Sequence, residues 1–321
     1  MNAEELKAAL QLFHDNIDEI GVTVYAVLKN QEDSSPKKLD IEANALQGLK
    51  ALFMQSLREK ITDKEELSVL DLSTSDERLD AIYLYDIEIP AGLIAMENVL
   101  NEDNFPLVDL AEVNLSDIKA ILIEIGNNIG QMVLYKTMAP VNVFGRSSFF
   151  LKKAKHRMEK INDEFLRISD GFQLLRINGE LLVINLIAIE KSFGFHEIIV
   201  REAAAGIAAI ETLKLVENTA VLNDLLEDVK YARRFTKIAK ASPVIKAQVP
   251  NASIISFCKT FPKLAGKIRF NGDESKIVLD TNVSKDLFIK LMMDNFLTSE
   301  LTQYHYDSIA KDSAEILVDE E

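Results

Sequence analysis

Apolar residues at Leu6, Leu10, Phe13 and Ile17 recur at helical spacing through EELKAALQLFHDNIDEI, so the chain opens on an amphipathic helix. After Gly21, VTVYAVLK alternates as a half-buried strand does. QEDSSPKK is polar and reads as a loop, and IEANALQGLKALFMQSLREKI as a long helix. Short strand-like pieces surround Ala81–Tyr85, and KAILIEIGNNIGQMVLYK predicts two strands about an Asn-Asn turn. FLRIS, FQLLRI and ELLVINL read as strands, the last two joined through Asn178-Gly179, a dipeptide that accepts positive φ. A mainly helical block runs from about Phe195 to Phe261. KIRFNGDESKIVLD then predicts a second hairpin, SKDLFIKLMMDNFL a helix, and EILVDEE a frayed acidic tail. There is no internal repeat or low-complexity tract.

The fold class that follows is mixed α+β, an α/β chain in two domains. Residues 1–145 form an acidic α/β half, and residues 146–321 a half with antiparallel hairpins and a helical block. The boundary falls at Pro140 to Arg146, a polar, turn-rich segment where the charge balance changes. A length of 321 residues suffices for two domains of ordinary size, and 48% hydrophobic residues mark a globular chain. One cysteine excludes an intrachain disulfide and fits a reducing cytosol. MNAEELKAAL lacks the features of a secretion signal, and apolar runs such as LLVINLIAIE are about half the length a bilayer requires. The expectation is a soluble cytoplasmic protein.

Charge changes the picture. The formal net charge of −15 speaks against polyanion binding, but its distribution is uneven. Residues 1–145 hold 26 acids against 11 Lys or Arg, and residues 146–321 hold 25 of each. From Val229 to Gly272 there are ten Lys or Arg and no Asp or Glu. If VKYARRFTKIAK is a helix, Lys230, Arg233, Arg234, Lys237 and Lys240 fall within an arc of roughly 120°. Tyr231, Phe235 and Ile238 fill a separate apolar arc, so the helix packs with one face and presents five cations with the other. The cations continue through Lys246, Lys259, Lys263, Lys267 and Arg269. SFFLKKAKHRMEKI gives a similar picture as a helix, with Lys152, Lys153, His156, Arg157 and Lys160 on one side, Leu151 and Met158 on the other, and Lys155 between. A solvated helix face normally mixes signs, because like charges one turn apart repel. These fifteen Lys and Arg residues are therefore candidates for contact with nucleic-acid phosphates. No base-reading module is present, so binding would be weakly sequence-dependent and strongly salt-dependent.

Candidate chemistry is sparse. His14, His156, His196 and His305 form no ligand spacing, and no phosphate loop, dinucleotide fingerprint or nucleophile elbow occurs. Cys258 lies at helical spacing from Ile254 and reads as core. Glu274-Ser275-Lys276 fits the triplet of a metal-dependent nuclease, but Glu5-Leu6-Lys7, Asp117-Ile118-Lys119 and Asp228-Val229-Lys230 fit equally, and NGDESK reads as an exposed hairpin tip. No cofactor, metal or catalytic residue is expected.

SFGF followed by a long helix, YARRFTKIAKASPVI, and KIVLDTNVSKDLFIKLMMDNFLTSELTQYHYDSIAKD resemble the domain of unknown function of the Kiwa protein B family, over about residues 146–312. The resemblance implies a non-enzymatic antiphage effector that binds double-stranded DNA. It further implies a homodimer, recruited to the inner membrane by a membrane-embedded partner, Kiwa protein A, in a complex that blocks replication and transcription of phage DNA. A division of labour fits this, with the basic half on DNA and the acidic half on the partner or second copy. Two rivals stay open: a metal-dependent nuclease, and a scaffold whose basic strip docks an acidic protein.

Overall fold

In the computed structural model, residues 1–29, 35–75, 78–102, 104–127, 130–139, 143–144, 150–161, 164–190, 193 and 195–308 are described. The acidic tail, expected to fray, and the second Asn of the Asn-Asn turn, Asn128, lie outside them.

Two compact units form, Met1–Leu72 with Glu77–Phe195, and Ser73–Asp76 with His196–Glu321. The first is built on an eight-stranded sheet in the order β2-β1-β5-β6-β11-β12-β4-β3. Its strands are β1 (Gly21–Leu28), β2 (Lys37–Lys38), β3 (Ser68–Asp71), β4 (Ala81–Leu84), β5 (Ile118–Asn127), β6 (Gly130–Thr137), β11 (Leu174–Ile177) and β12 (Glu180–Val183). All neighbours are antiparallel except β3 and β4. β7 (Val143–Phe144) pairs β10 (Phe165–Leu166), and β8 (Phe150–Ala154) pairs β9 (Arg157–Ile161), outside this sheet.

The two-residue period of β5 and β6 explains how the sheet is covered on both faces. Ile121, Ile123, Ile125, Met132 and Leu134 join one cluster with Leu6, Leu10 and Phe13 of α1 (Ala3–Asp15) and Phe53, Met54 and Leu57 of α2 (Ala43–Leu57). The alternate residues Leu122, Val133, Tyr135 and Leu174 are equally buried, with α3 (Ile94–Asn101) against β6. There Glu97 of α3 accepts from Arg176 at 2.9 Å. Asn2 starts α1 through a reciprocal box with Glu5 that satisfies two otherwise orphaned N–H groups.

The domain boundary differs from the expected one. β11 and β12 bond to β6 and β4, so residues beyond 145 complete the first sheet, and the division falls between Phe195 and His196. Asn178-Gly179 makes the expected turn, with φ of 50° and 80°. ELLVINL ends as strand at Val183, and α4 (Leu186–Glu190) begins at its last residue. The first unit carries 31 acids against 20 Lys or Arg, and the second 20 against 16.

The second unit is mainly helical. It contains α5 (Phe195–Thr212, whose first residue groups with the first unit), a 3-10 segment Thr219–Glu227, α6 (Val229–Ala241), α7 (Pro243–Lys246), α8 (Asn251–Thr260) and α9 (Asn282–Met292). Two hairpins accompany them, β13 (Arg269–Phe270) with β14 (Ile277–Val278), and β15 (Phe296–Thr298) with β16 (His305–Asp307). Small residues of α5 let α6 come close: a Cβ on Gly206 would lie 2.0 Å from the Phe235 carbonyl oxygen.

Candidate nucleic-acid interface

The helix VKYARRFTKIAK forms as expected, but its surroundings do not leave five cations in solvent. Ala232, Arg233, Arg234, Phe235, Thr236 and Ile238 are all buried, so the middle of α6 is covered on every side. α5 approaches at Phe235, and α9 packs where the Arg234 side was expected to be open. Arg233 and Arg234 are only 5% and 4% exposed, which removes both from any outward strip.

A carboxylate fifty residues away makes this burial tolerable. Arg234 Nη1 donates to Asp286 Oδ1 on α9 at 3.1 Å, and the Tyr231 hydroxyl donates to the same oxygen at 3.1 Å. Lys290 lies 3.4 Å from the other oxygen of Asp286 and donates to Asp307 Oδ2 at 3.1 Å. Lys263 also donates to Asp307 Oδ2. The result is an alternating chain of cations and anions that ties α6, α9, β16 and the segment after α8 together. Burial alone pushes the Asp307 carboxyl up, but hydrogen bonds and positive charge from Lys263 and Lys290 outweigh it and hold the group below the usual carboxylate range. Burial and then the negative charge of Asp286 push the Tyr231 phenol up.

The remaining candidates in this stretch reach solvent. Lys230, Lys240, Lys246, Lys259, Lys263, Lys267 and Arg269 are exposed and Lys237 half-exposed. Several meet protein partners: Lys259 pairs Glu274 at 2.5 Å, Arg269 pairs Asp280 at 2.7 Å, and Lys240 donates to Ser73 Oγ at 2.7 Å. Lys230, Lys246 and Lys267 have no ion pair among the described residues. The run without acids is thus answered by acids from later segments, whose positions no local window discloses.

SFFLKKAKHRMEKI is not a helix. It is the hairpin β8–β9, turning at Lys155-His156, with Lys155 at φ 34°. A strand's two-residue period divides the cations between faces, where a helix would have gathered them on one side. Lys152 stands opposite Glu159 in register. Lys160 stands opposite Leu151. Lys153, Lys155 and Arg157 are exposed, and Arg157 pairs Glu159 at 2.9 Å. The side chains of Lys152 and Lys160 lie outside the described residues.

Cys258 is buried, and burial pushes its thiol up to about 12, far from a thiolate nucleophile at neutral pH. Among the described residues no group of three His, Cys, Asp or Glu side chains could hold a metal ion. Glu274 sits at the β13–β14 hairpin tip with φ 57° and a 65% exposed side chain, and Asp273 is occupied by the hydroxyl and N–H of Ser275. His305 lies edge-on to Phe261, with ring centroids 4.9 Å apart, and reads as packing. No helix among the described residues is long and apolar enough to cross a membrane.

Comparison with known proteins gives this arrangement a family. The chain is 26% identical over 329 residues to Kiwa protein KwaB of Escherichia coli O55:H7 (strain RM12579 / EPEC), covering 97% of this chain and 99% of that protein. No solved structure matches. A family model described as Kiwa protein KwaB-like matches residues 115–302, from the 3-10 turn before β5 through the hairpin loop after β15. The chain belongs to the Kiwa protein KwaB-like family.

Proposed function

We propose that this chain, a component of Kiwa antiphage defence, acts without catalysis by holding double-stranded DNA through backbone phosphates. One observation carries the reading. Val229 to Gly272 contains ten cations and no acid, and eight of the ten reach solvent at least in part. Lys230, Lys246 and Lys267 are the main contacts in this reading, because each can meet a phosphate without first giving up an ion pair. Lys237, Lys240, Lys259, Lys263 and Arg269, and Lys152, Lys153, Lys155, Arg157 and Lys160 of the β8–β9 hairpin, are supporting candidates. Arg233 and Arg234 hold the scaffold and contact no phosphate. The acidic half of the sequence, residues 1–145, which should repel DNA, meets a membrane-embedded partner or a second copy of the chain.

Purified protein with duplex DNA, with and without Mg²⁺ across a salt series, tests the proposal. Retardation of any long duplex is expected, lost steeply with salt and without cutting. Each phosphate contact adds about 0.9 to the slope of log affinity on log salt. Replacing Lys230, Lys246 and Lys267 by Gln together should then reduce that slope by up to about 3. Lack of DNA retention at low salt would sink the reading in favour of a scaffold. Mg²⁺-dependent cutting abolished by Glu274→Ala would replace it with a nuclease.

A further inference from the structure

In the first unit, an open groove of about 540 Å³ runs beside α2. One wall is a stripe of α2, Ala45, Gly48, Leu49 and Leu52, at the i, i+3, i+4, i+7 spacing of a helix face. Facing it are Leu110, Leu115, Leu166 and Ile168, from the segment before β5 and from β10 and the residues just after it. α2 thus has two apolar sides. Phe53, Met54 and Leu57 are spent in the core, while Ala45 and Gly48 are exposed and Leu110 across the groove is 51% exposed. A Cβ on Gly48 would meet nothing within 4 Å, so the helix leaves room there for a ligand side chain. Asp40 is the one charged residue among the described lining.

We propose that this groove takes a short amphipathic helix with a basic outer face, supplied by a partner protein. A stripe of four residues over two turns opposite a second apolar wall is the shape that helix-in-groove recognition uses, with three or four anchors on one face of the ligand. Ten to twelve residues of helix, about 15–18 Å, would span it. Charge selects the sign of the ligand's outer face. Within two sequence positions of the lining residues, Asp40 included, stand the acids Asp40, Glu42, Asp109, Glu112, Asp117, Glu164 and Asp170 against the cations Lys37, Lys38, Lys119 and Arg167, while Lys50 is turned inward onto the carbonyls of Ile17 and Ile20. The surrounding unit is net negative. That balance repels an anionic bilayer and disfavours an acidic helix. The inference does not rest on DNA binding.

The test uses the full chain and two fluorescein-labelled fourteen-residue peptides. Both carry Leu at i, i+4, i+7 and i+11, with Lys elsewhere in one and Glu in the other, and binding is read by anisotropy at moderate salt. The Lys peptide is expected to bind at least about tenfold more tightly than the Glu peptide. Gly48→Leu should fill the groove and weaken the Lys peptide by tenfold or more, with the melting temperature unchanged or raised because Leu favours a helix over Gly. Ala45→Leu, exposed one turn earlier, should act in the same direction and covers the case in which the first variant folds poorly. Equal binding of the two peptides, or a Lys-peptide affinity untouched by both variants, would overturn the proposal. Concentration-dependent dimerisation, or binding to anionic phosphatidylglycerol vesicles, that is lost in Gly48→Leu would overturn it in favour of a second copy or a membrane.

Discussion

α6 and the β8–β9 hairpin both contain closely spaced cations, and the fold uses them in opposite ways. In α6 the two adjacent arginines are withdrawn into the second unit and Arg234 is matched with Asp286, so positive charge serves as internal structure. In the hairpin, Lys153, Lys155 and Arg157 stand in solvent on a two-strand ribbon, and among the described residues Arg157 has Glu159 as its close counter-charge. Density of charge in a sequence therefore does not measure charge on a surface. What decides is whether a helix or sheet packs over the segment and brings an acid with it.

The sharpest way to break this comparison is Asp286→Ala. It leaves Arg234 buried beside α9 without its counter-charge, and breaking such a pair costs about 3–5 kcal/mol. Chemical denaturation should show a loss of that size, and a loss under 1 kcal/mol would mean that Arg234 reaches water and the helix is looser than described. Gly206→Ala comes next. Its methyl would collide with the Phe235 backbone, so α5 and α6 must separate, at a cost of about 1–3 kcal/mol. An unchanged melting temperature would refute the close crossing that covers α6.

A smaller effect concerns acid. Because the folded-state pKa of Asp307 is lowered, its interactions stabilise the fold above the unfolded carboxylate pKa of about 4 and are lost as pH falls through the lowered value. Unfolding midpoints for the natural chain should fall on that limb relative to Asp307→Asn, by about 1–2 kcal/mol at most. Parallel curves for the two proteins would remove Asp307 from the network. The smallest effect belongs to the hairpin, where Lys153→Gln, Lys155→Gln and Arg157→Gln together should alter stability by no more than about 0.5 kcal/mol. The same triple variant should shorten the salt slope for DNA if the ribbon lies in the interface. A large stability loss would make the hairpin cations structural, as in α6, and erase the contrast.

Much of the first unit was legible because its signals are local. The alternation in β1, β5 and β6, the helical spacing of α1 and the Asn178-Gly179 turn each depend on residues a few positions apart. SFFLKKAKHRMEKI reads as a helix from sequence because its apolar residues satisfy a helix and a strand equally well, and the cross-strand register of β8 and β9 appears only once the chain has turned back. The covered middle of α6 was illegible for a different reason. A wheel places Arg233 and Arg234 on the polar arc, but Asp286 of α9, which pairs Arg234, lies about fifty residues onward. The domain boundary failed similarly, since a polar stretch can interrupt a sheet as readily as it separates two cores.

The position of β12 also constrains how the chain reaches its native state. Leu84 of β4 stands in register with Leu182, so an early strand waits for nearly a hundred further residues before its second neighbour exists. During synthesis β3 and β4 emerge as an orphan parallel pair with an open edge, and pairing over such separations folds slowly. A fragment ending near residue 145 would keep that edge permanently, so it is expected to aggregate or be degraded, whatever chemistry its acidic surface could perform in the intact molecule.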